Sequence, residues 1–345
     1  MSGSTQHPAV ARALIASALA AAAIVLAACG GDDGGSGNGG AEPAAGEQTD
    51  GGVQQEPEAA ADPKPADFPA ADGRTLEELA DLAKPGTNIA PATTHYVAGP
   101  SRVAFGLLDA NNEFVYAPSA VYVGRSPDAV AEGPFVAAAD SLVTEERFRS
   151  QNAALEGDAI ASVYSTEVEL PSPGRYAILV LTNAGDQLFG ATSQIEAAAS
   201  DTIPAPGERA PRVQTDTIET AGGQVENIDT RVPPSDMHEN FADVVGTKPV
   251  ALLFATPQLC QSRVCGPVTD IAVQLEAEYG DEMEFIHQEV YVDNDVGKGL
   301  REPLLEFGLP TEPWLFTFDA EGRVVARLEG SFGIEEFEEA VKAAL

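Results

Sequence analysis

Cysteine, positive charge and long apolar runs are all scarce in this chain, and each shortage excludes something. Only 3 cysteines occur in 345 residues, Cys29, Cys260 and Cys265. That is too few for a scaffold stapled by disulfides, and their uneven placement suggests two separate uses. Lys and Arg number 19 against 54 Asp and Glu, for a formal net charge of -35. Neutralising phosphate needs clustered cations, so nucleic acid is excluded as a partner, as is adhesion to an anionic membrane through a basic patch. The apolar run Ala13 to Ala28 is short of the roughly 20 residues needed to cross a bilayer. What is present is ordinary: 44% hydrophobic residues suit a chain that buries cores, and the length suggests about two domains.

The apolar run follows a polar start with one cation, Arg12, and ends at Leu26-Ala27-Ala28-Cys29-Gly30. This resembles the bacterial lipoprotein signal, in which small residues admit the signal peptidase and the cysteine thiol receives diacylglycerol. The resemblance implies a signal peptide over 1–28, lipidation at Cys29, and a mature chain anchored on the extracytoplasmic face of the cell membrane, where disulfides persist. Residues 29–72 are rich in Gly, Pro, Ala and acids. Such a segment buries too little surface to offset its ordering and reads as a disordered acidic tether.

Residues 73–199 read as an all-β sandwich with a short leading helix. Thr75 and Glu78 have capping-box spacing ahead of Leu76 and Leu79, which predicts a helix over 75–83. Runs rich in Val, Tyr, Phe and Ile follow. SRVAFGLLD (101–109) and EFVYAPSAVYVG (113–124) flank Asn111-Asn112, and IASVYSTEVEL (160–170) meets RYAILVLT (175–182) across Pro171-Ser172-Pro173-Gly174. Both pairs read as hairpins, and 187–195 is a last strand. The spacing suggests an immunoglobulin-like sandwich without the cysteine pair of antibody domains. LPSPGRYAILV resembles the late hairpin of many extracytoplasmic sandwich modules. The one histidine of this region, His95, reads as a surface or hydrogen-bonded structural residue. With no convergent polar set, the region reads as a spacer or docking module.

A connector over 200–235 carries a predicted hairpin, Val213 to Ile218 with Gln224 to Thr230. From 236 to 345 strand and helix patterns alternate, the α/β signature. PVALLFA (249–255) suits a strand buried on both faces. Val268, Ile271, Ala272 and Leu275 mark one face of a helix ending at Gly280, and the acids Glu335, Glu336, Glu338 and Glu339 read as the solvated face of a last helix. HENFADVVGTKPVALLFA, CGPVTDIAVQLEAEYGDEMEFI and FGLPTEPWLFTFDAEG together resemble thioredoxin. The resemblance implies a thioredoxin-like domain over 236–345, a cis-proline at Pro313, and thiol-disulfide exchange with extracytoplasmic protein thiols and disulfides as partners.

The cysteine pattern departs from that family. Cys260-Gln261-Ser262-Arg263-Val264-Cys265-Gly266-Pro267-Val268 replaces Cys-x-x-Cys. Ungapped alignment puts Cys265 at the attacking position and Val268 at the second cysteine, leaving Cys260 to resolve; the reverse alignment makes Cys260 the attacker, as in the spacing of Q-type peroxiredoxins. Cys265 is preferred, because a helix N-terminus favours a thiolate, and Arg263 adds a cation that modulates it. Glu312 sets a negative charge near the sulfurs, and the family's buried acid falls on Leu253. By resemblance, Glu312, Pro313 and Trp314 line the groove for the partner chain. Two other readings stand beside exchange: a redox-silent binding protein with a structural Cys260–Cys265 disulfide, and copper handling resembling Sco proteins through Cys260, Cys265 and His287. Exchange itself calls for no metal or other cofactor.

Overall fold

Alternating apolar residues build two sheets, one from each half of the chain. The structure, a computed structural model, describes residues 57–151 and 160–345. The predicted signal segment, Cys29 and the first part of the tether lie outside the described residues; the tether's last part, read as disordered, is instead ordered from Pro57, because Ala60 and Phe68 are apolar enough to bury in the sandwich cores. No helix among the described residues is long and apolar enough to cross a membrane.

The first sheet contains β1 (Lys84–Pro85), β2 (Asn88–Pro91), β3 (Tyr96–Val97), β4 (Gly99–Leu108), β5 (Ser119–Gly124), β6 (Glu132–Ser141), β7 (Ser162–Leu170), β8 (Gly174–Ala184) and β9 (Gln187–Ala198). They hydrogen-bond in the order β1-β9-β8-β5-β6-β7-β4-β2, with β3 added beside β9. Strand β6 is shared: its first half pairs with β5 and its second half, from Ala138, pairs with β7. The sheet therefore folds over at β6, and its two halves face each other across Val103, Phe105, Tyr164, Val121, Ile178 and Val180. Phe105 and Tyr164 stack at 5.3 Å. The result is a sandwich closed along one side by a common strand.

Two predicted hairpins come apart in a consistent way. Strand β7 lies between β4 and β6, whereas β8 lies between β5 and β9. The segment Pro171–Pro173 has two prolines without N–H donors, so it arches between the sheet halves instead of turning within one. The Tyr176 hydroxyl ties the arch, accepting from the Ser172 N–H at 3.1 Å and donating to the Ser172 carbonyl at 2.7 Å, a tyrosine corner. The Asn111-Asn112 turn does form, held by the Asp109 carboxylate on the N–H groups of Asn111 and Glu113. Its return strand stays with β4 only to Val115 and then crosses to the other half as β5.

Strand β8 is apolar from Tyr176 to Leu181 because both of its faces are covered there. Tyr176, Ile178 and Val180 enter the sandwich core, while Ala177, Leu179 and Leu181 lie under Leu76 and Leu79 of α1 (Leu76–Ala80). The capping box forms, with the Glu78 N–H donating to Thr75 Oγ1 at 3.2 Å and the Thr75 N–H to the Glu78 carboxylate at 2.9 Å.

The second half runs α2 (Phe241–Val244), β10 (Val250–Phe254), α3 (Cys265–Tyr279), β11 (Glu284–Gln288), α4 (Glu302–Phe307), β12 (Trp314–Phe318), β13 (Val324–Glu329) and α5 (Ile334–Ala344). Its sheet order is β11-β10-β12-β13. Strand β10 is parallel to β11 and antiparallel to β12, and β13 closes a hairpin with β12. On β10, Ala251 and Leu253 face α3 and α5, while Val250, Leu252 and Phe254 face α2 and α4, as the alternation of a doubly covered strand requires. This is the thioredoxin-like topology, and the peptide before Pro313 is cis.

The connector forms no strand. Side chains take up its backbone donors instead: Asp229 accepts from the N–H groups of Arg231 and Ser235 and from the Ser235 hydroxyl. Arg231 then anchors α3 through a buried 2.8 Å pair with Asp270 and bonds to the carbonyls of Pro233 and Phe148.

The two halves share a core. Ala104, Leu142 and Val163 of the sandwich pack with Ile271, Leu275 and Phe337, and the described residues fall within one compact unit. Arg102 donates to Glu336 and to the carbonyls of Glu329 and Ser331. Asp140 accepts from the N–H groups of Glu335 and Glu336, capping α5 from the sandwich. Glu336, read as solvated, thus belongs to the junction between the halves.

Candidate functional site

The loop from Thr256 to Val264 leaves β10 and delivers both remaining cysteines to one place. The Leu259 and Cys260 N–H groups donate to the Thr256 carbonyl, and the Arg263 N–H donates to the Cys260 carbonyl. Arg263 takes a left-handed backbone, φ 62°, which reverses the chain just before the helix. Cys265 then opens α3, with its carbonyl accepting from the Thr269 hydroxyl at 2.7 Å. Because Cys260 sits in this loop and not in the helix, four intervening residues do not separate the thiols.

Their environments differ sharply. Cys265 is fully buried, and Cys260 is partly exposed. The neighbouring Cys265 thiol lowers the Cys260 pKa to about 6 against burial; Ser262 Oγ, 3.2 Å from the sulfur, helps, and Glu312 opposes. Burial pushes the Cys265 thiol well above its ordinary value, and the neighbouring Cys260 adds to this. The proton therefore stays on Cys265 and the charge on Cys260. Burial is the dominant influence on Cys265, although it stands at the start of α3.

Glu312 acts on both thiols, raising the pKa of each. Burial raises its pKa against the opposing effect of a 3.1 Å hydrogen bond from the Tyr291 hydroxyl. Pro313 is buried, and its carbonyl accepts from the Gly330 N–H at 2.8 Å. Trp314 is buried, stacks on Phe316 and donates from Nε1 to Thr311; its remaining edge borders a pocket with His95, Arg102 and Arg327, and it is not among the residues lining the cleft near Ser262 and Val264. Being on β12, it points into the core shared with α2 and α4.

The copper set does not assemble. On β11, His287 pairs with Leu253 of β10, its Nε2 contacts the Ala255 carbonyl at 3.0 Å, and its Nδ1 faces Asp229. Among the described residues, the one group of three or more metal-ligating side chains with converging atoms is Asp229, His287 and Glu289, without either cysteine.

Beside the thiols runs a mostly apolar cleft of about 320 Å³. Val264 and Glu312 form one wall, and Phe114, Ile160 and Val163 of the sandwich form the other. The sandwich residues, Ser262 and Tyr291 escaped the sequence reading, because nothing in their local pattern distinguishes them from ordinary strand and loop residues.

No protein-family model and no curated protein matches the chain. Solved structures that do match include a Chlorobium tepidum protein assigned as the thiol:disulfide interchange protein DsbE, at 16% identity, covering 41% of this chain and 98% of that one with a TM-score of 0.30. Another is a thiol:disulfide interchange protein of the thioredoxin family from Chlorobium tepidum TLS, at 18% identity, covering 43% and 99% with a TM-score of 0.26. At these scores neither likeness carries weight, and the thioredoxin-like description of the second half rests on its strand order, its helix placement and cis-Pro313.

Proposed function

We propose that this chain is a thiol-disulfide exchange protein in which Cys260 attacks and Cys265 resolves. The supporting observation is the division of labour between the thiols: one partly exposed and acidic, the other buried and protonated. The Cys260 thiolate attacks one sulfur of a partner disulfide, and the partner's other sulfur leaves as a thiolate. Cys265 then loses its proton and attacks the Cys260 sulfur of the mixed disulfide, releasing the second partner thiolate and leaving a Cys260–Cys265 disulfide. This reverses the order preferred from sequence, because burial at the helix start outweighs the dipole there.

The rest of the proposal follows the sequence. The chain is lipid-anchored at Cys29 on the extracytoplasmic face of the membrane, where partner disulfides are available. The sandwich is of the immunoglobulin-like type, a reading supported by the tyrosine corner, and it supplies a wall of the substrate cleft.

Alkylation of the reduced protein by iodoacetamide tests the attacking group. With the Cys260 pKa lowered to about 6, the rate rises about tenfold per pH unit below that value and levels off above it. Glu312→Gln removes a charge that raises both thiols, so the midpoint moves down by up to about one unit. A midpoint near that of an ordinary thiol, or faster labelling of Cys265 than of Cys260, contradicts the assignment.

A further inference from the structure

Behind the cysteine loop lies a buried polar cluster that exchange does not use. Asp229 comes from the connector, and His287 and Glu289 from β11 and the residue following its end; their ligand atoms all lie within 4.8 Å of one another. His238, also buried, places Nε2 at 3.4 Å from Asp229 Oδ2, and His287 Nδ1 lies 3.5 Å from the same oxygen. His287 Nδ1 and both ring nitrogens of His238 are buried without a hydrogen-bond partner.

The tautomer of His287 makes this arrangement informative. Nε2 lies 3.0 Å from the Ala255 carbonyl, which only accepts, so Nε2 carries a proton. In neutral imidazole the lone pair is then on Nδ1, directed at a carboxylate oxygen. Two lone pairs facing each other in a dry interior require a cation between them. The His287–Asp229 gap of 3.5 Å is long for a charge-assisted hydrogen bond. It matches the edge of a tetrahedron whose ligand bonds are about 2.0–2.2 Å, roughly 3.4 Å.

We propose that Asp229, His287 and Glu289 bind a divalent transition-metal ion of the zinc class, with His238 beside the shared carboxylate. The surroundings are those of a metal centre. The far nitrogen of His287 donates to a backbone carbonyl, Asp229 is oriented by Ser235 and the Arg231 N–H, and Glu289 by the N–H and hydroxyl of Thr230. An imidazole with two carboxylates suits zinc better than copper(I), which prefers sulfur, and a dry site disfavours magnesium, which keeps its waters. The ion would brace the cysteine loop from behind, since His287 holds Ala255 and Thr230 Oγ1 accepts from the Gln258 N–H at 3.2 Å.

Metal content of the tag-free full chain, grown with zinc and desalted, tests this. About one zinc per chain is expected in wild type and in the Cys260→Ser/Cys265→Ser double variant, and at least a tenfold loss in His287→Gln and Asp229→Asn. Because those two variants risk misfolding, zinc-edge X-ray absorption of wild type gives an independent reading: a shell of nitrogen and oxygen alone at about 2.0–2.1 Å supports the site, and sulfur at about 2.3 Å overturns it. Retention of zinc in both site variants overturns it. So does substoichiometric zinc in wild type with no rise in Tm on adding zinc to chelator-treated protein; the cation is then a proton on His287.

Discussion

Changing Cys265 to serine is expected to leave the first chemical step intact and block the second. The full-length variant should accumulate a mixed disulfide through Cys260 that survives non-reducing electrophoresis, because no thiol remains to release the partner. Cys260→Ser should accumulate none, and its exchange rate should fall on the order of 10³-fold or more, the scale seen when a covalent nucleophile is removed. The asymmetry follows from burial: Cys265 is 0% exposed and cannot meet an external disulfide while the helix start is folded. Equal trapping by the two variants, or trapping only by Cys260→Ser, would reverse the roles. Failure of both to trap any partner would remove the exchange function itself.

The second large effect is expected at the seam between the halves. Gly330 follows β13 in a left-handed conformation, φ +74°, and a Cβ there would lie 1.6 Å from the Ala92 carbonyl oxygen. Gly330→Ala must therefore displace backbone. It also strains the left-handed position by about 1–2 kcal/mol and loosens the N–H bond to the Pro313 carbonyl. Denaturant unfolding should show a loss above about 4 kcal/mol, in the range reserved for backbone clashes and broken cores. Gly222→Ala is the control. That glycine is also left-handed, φ +66°, but a methyl group added there would meet nothing within 4 Å, so the change should cost only the strain. A Gly330→Ala protein within about 1 kcal/mol of wild type would mean that the halves are not joined as described.

Local pattern carried much of the second half. The run Val250–Phe254 is apolar because both faces are covered, and helix α3 shows its buried stripe at Val268, Ile271, Ala272 and Leu275. The capping box at Thr75 was equally legible, since it needs only two residues three apart. Pairing was less so. Strands β7 and β8 satisfy the same hydrophobic alternation whether they form one hairpin or lie in opposite sheet halves, although Tyr176 after Pro171-Ser172-Pro173 was an available sign of the corner.

At the site, the residue types were visible and their environments were not. Cys260 and Cys265 influence each other and both feel Glu312, but the order of attack depends on burial contributed by distant segments. Resemblance places Trp314 beside Pro313 in a groove for the partner chain, whereas strand alternation turns most of its ring into the core. Glu336 pairs with Arg102, 234 positions earlier, and no window of sequence reveals that. Asp229, His238 and His287 come from the connector, the segment before α2, and β11, so their meeting is a property of the topology alone.

The equilibrium reduction potential of the Cys260/Cys265 couple bears on the central proposal most directly. The purified chain would be poised in glutathione or dithiothreitol buffers of stepped potential and its oxidised fraction counted by mass after alkylation. A couple that cycles with protein substrates is expected between roughly -280 and -120 mV, the span of known exchange proteins. A value below about -300 mV would identify a structural disulfide and contradict the exchange function.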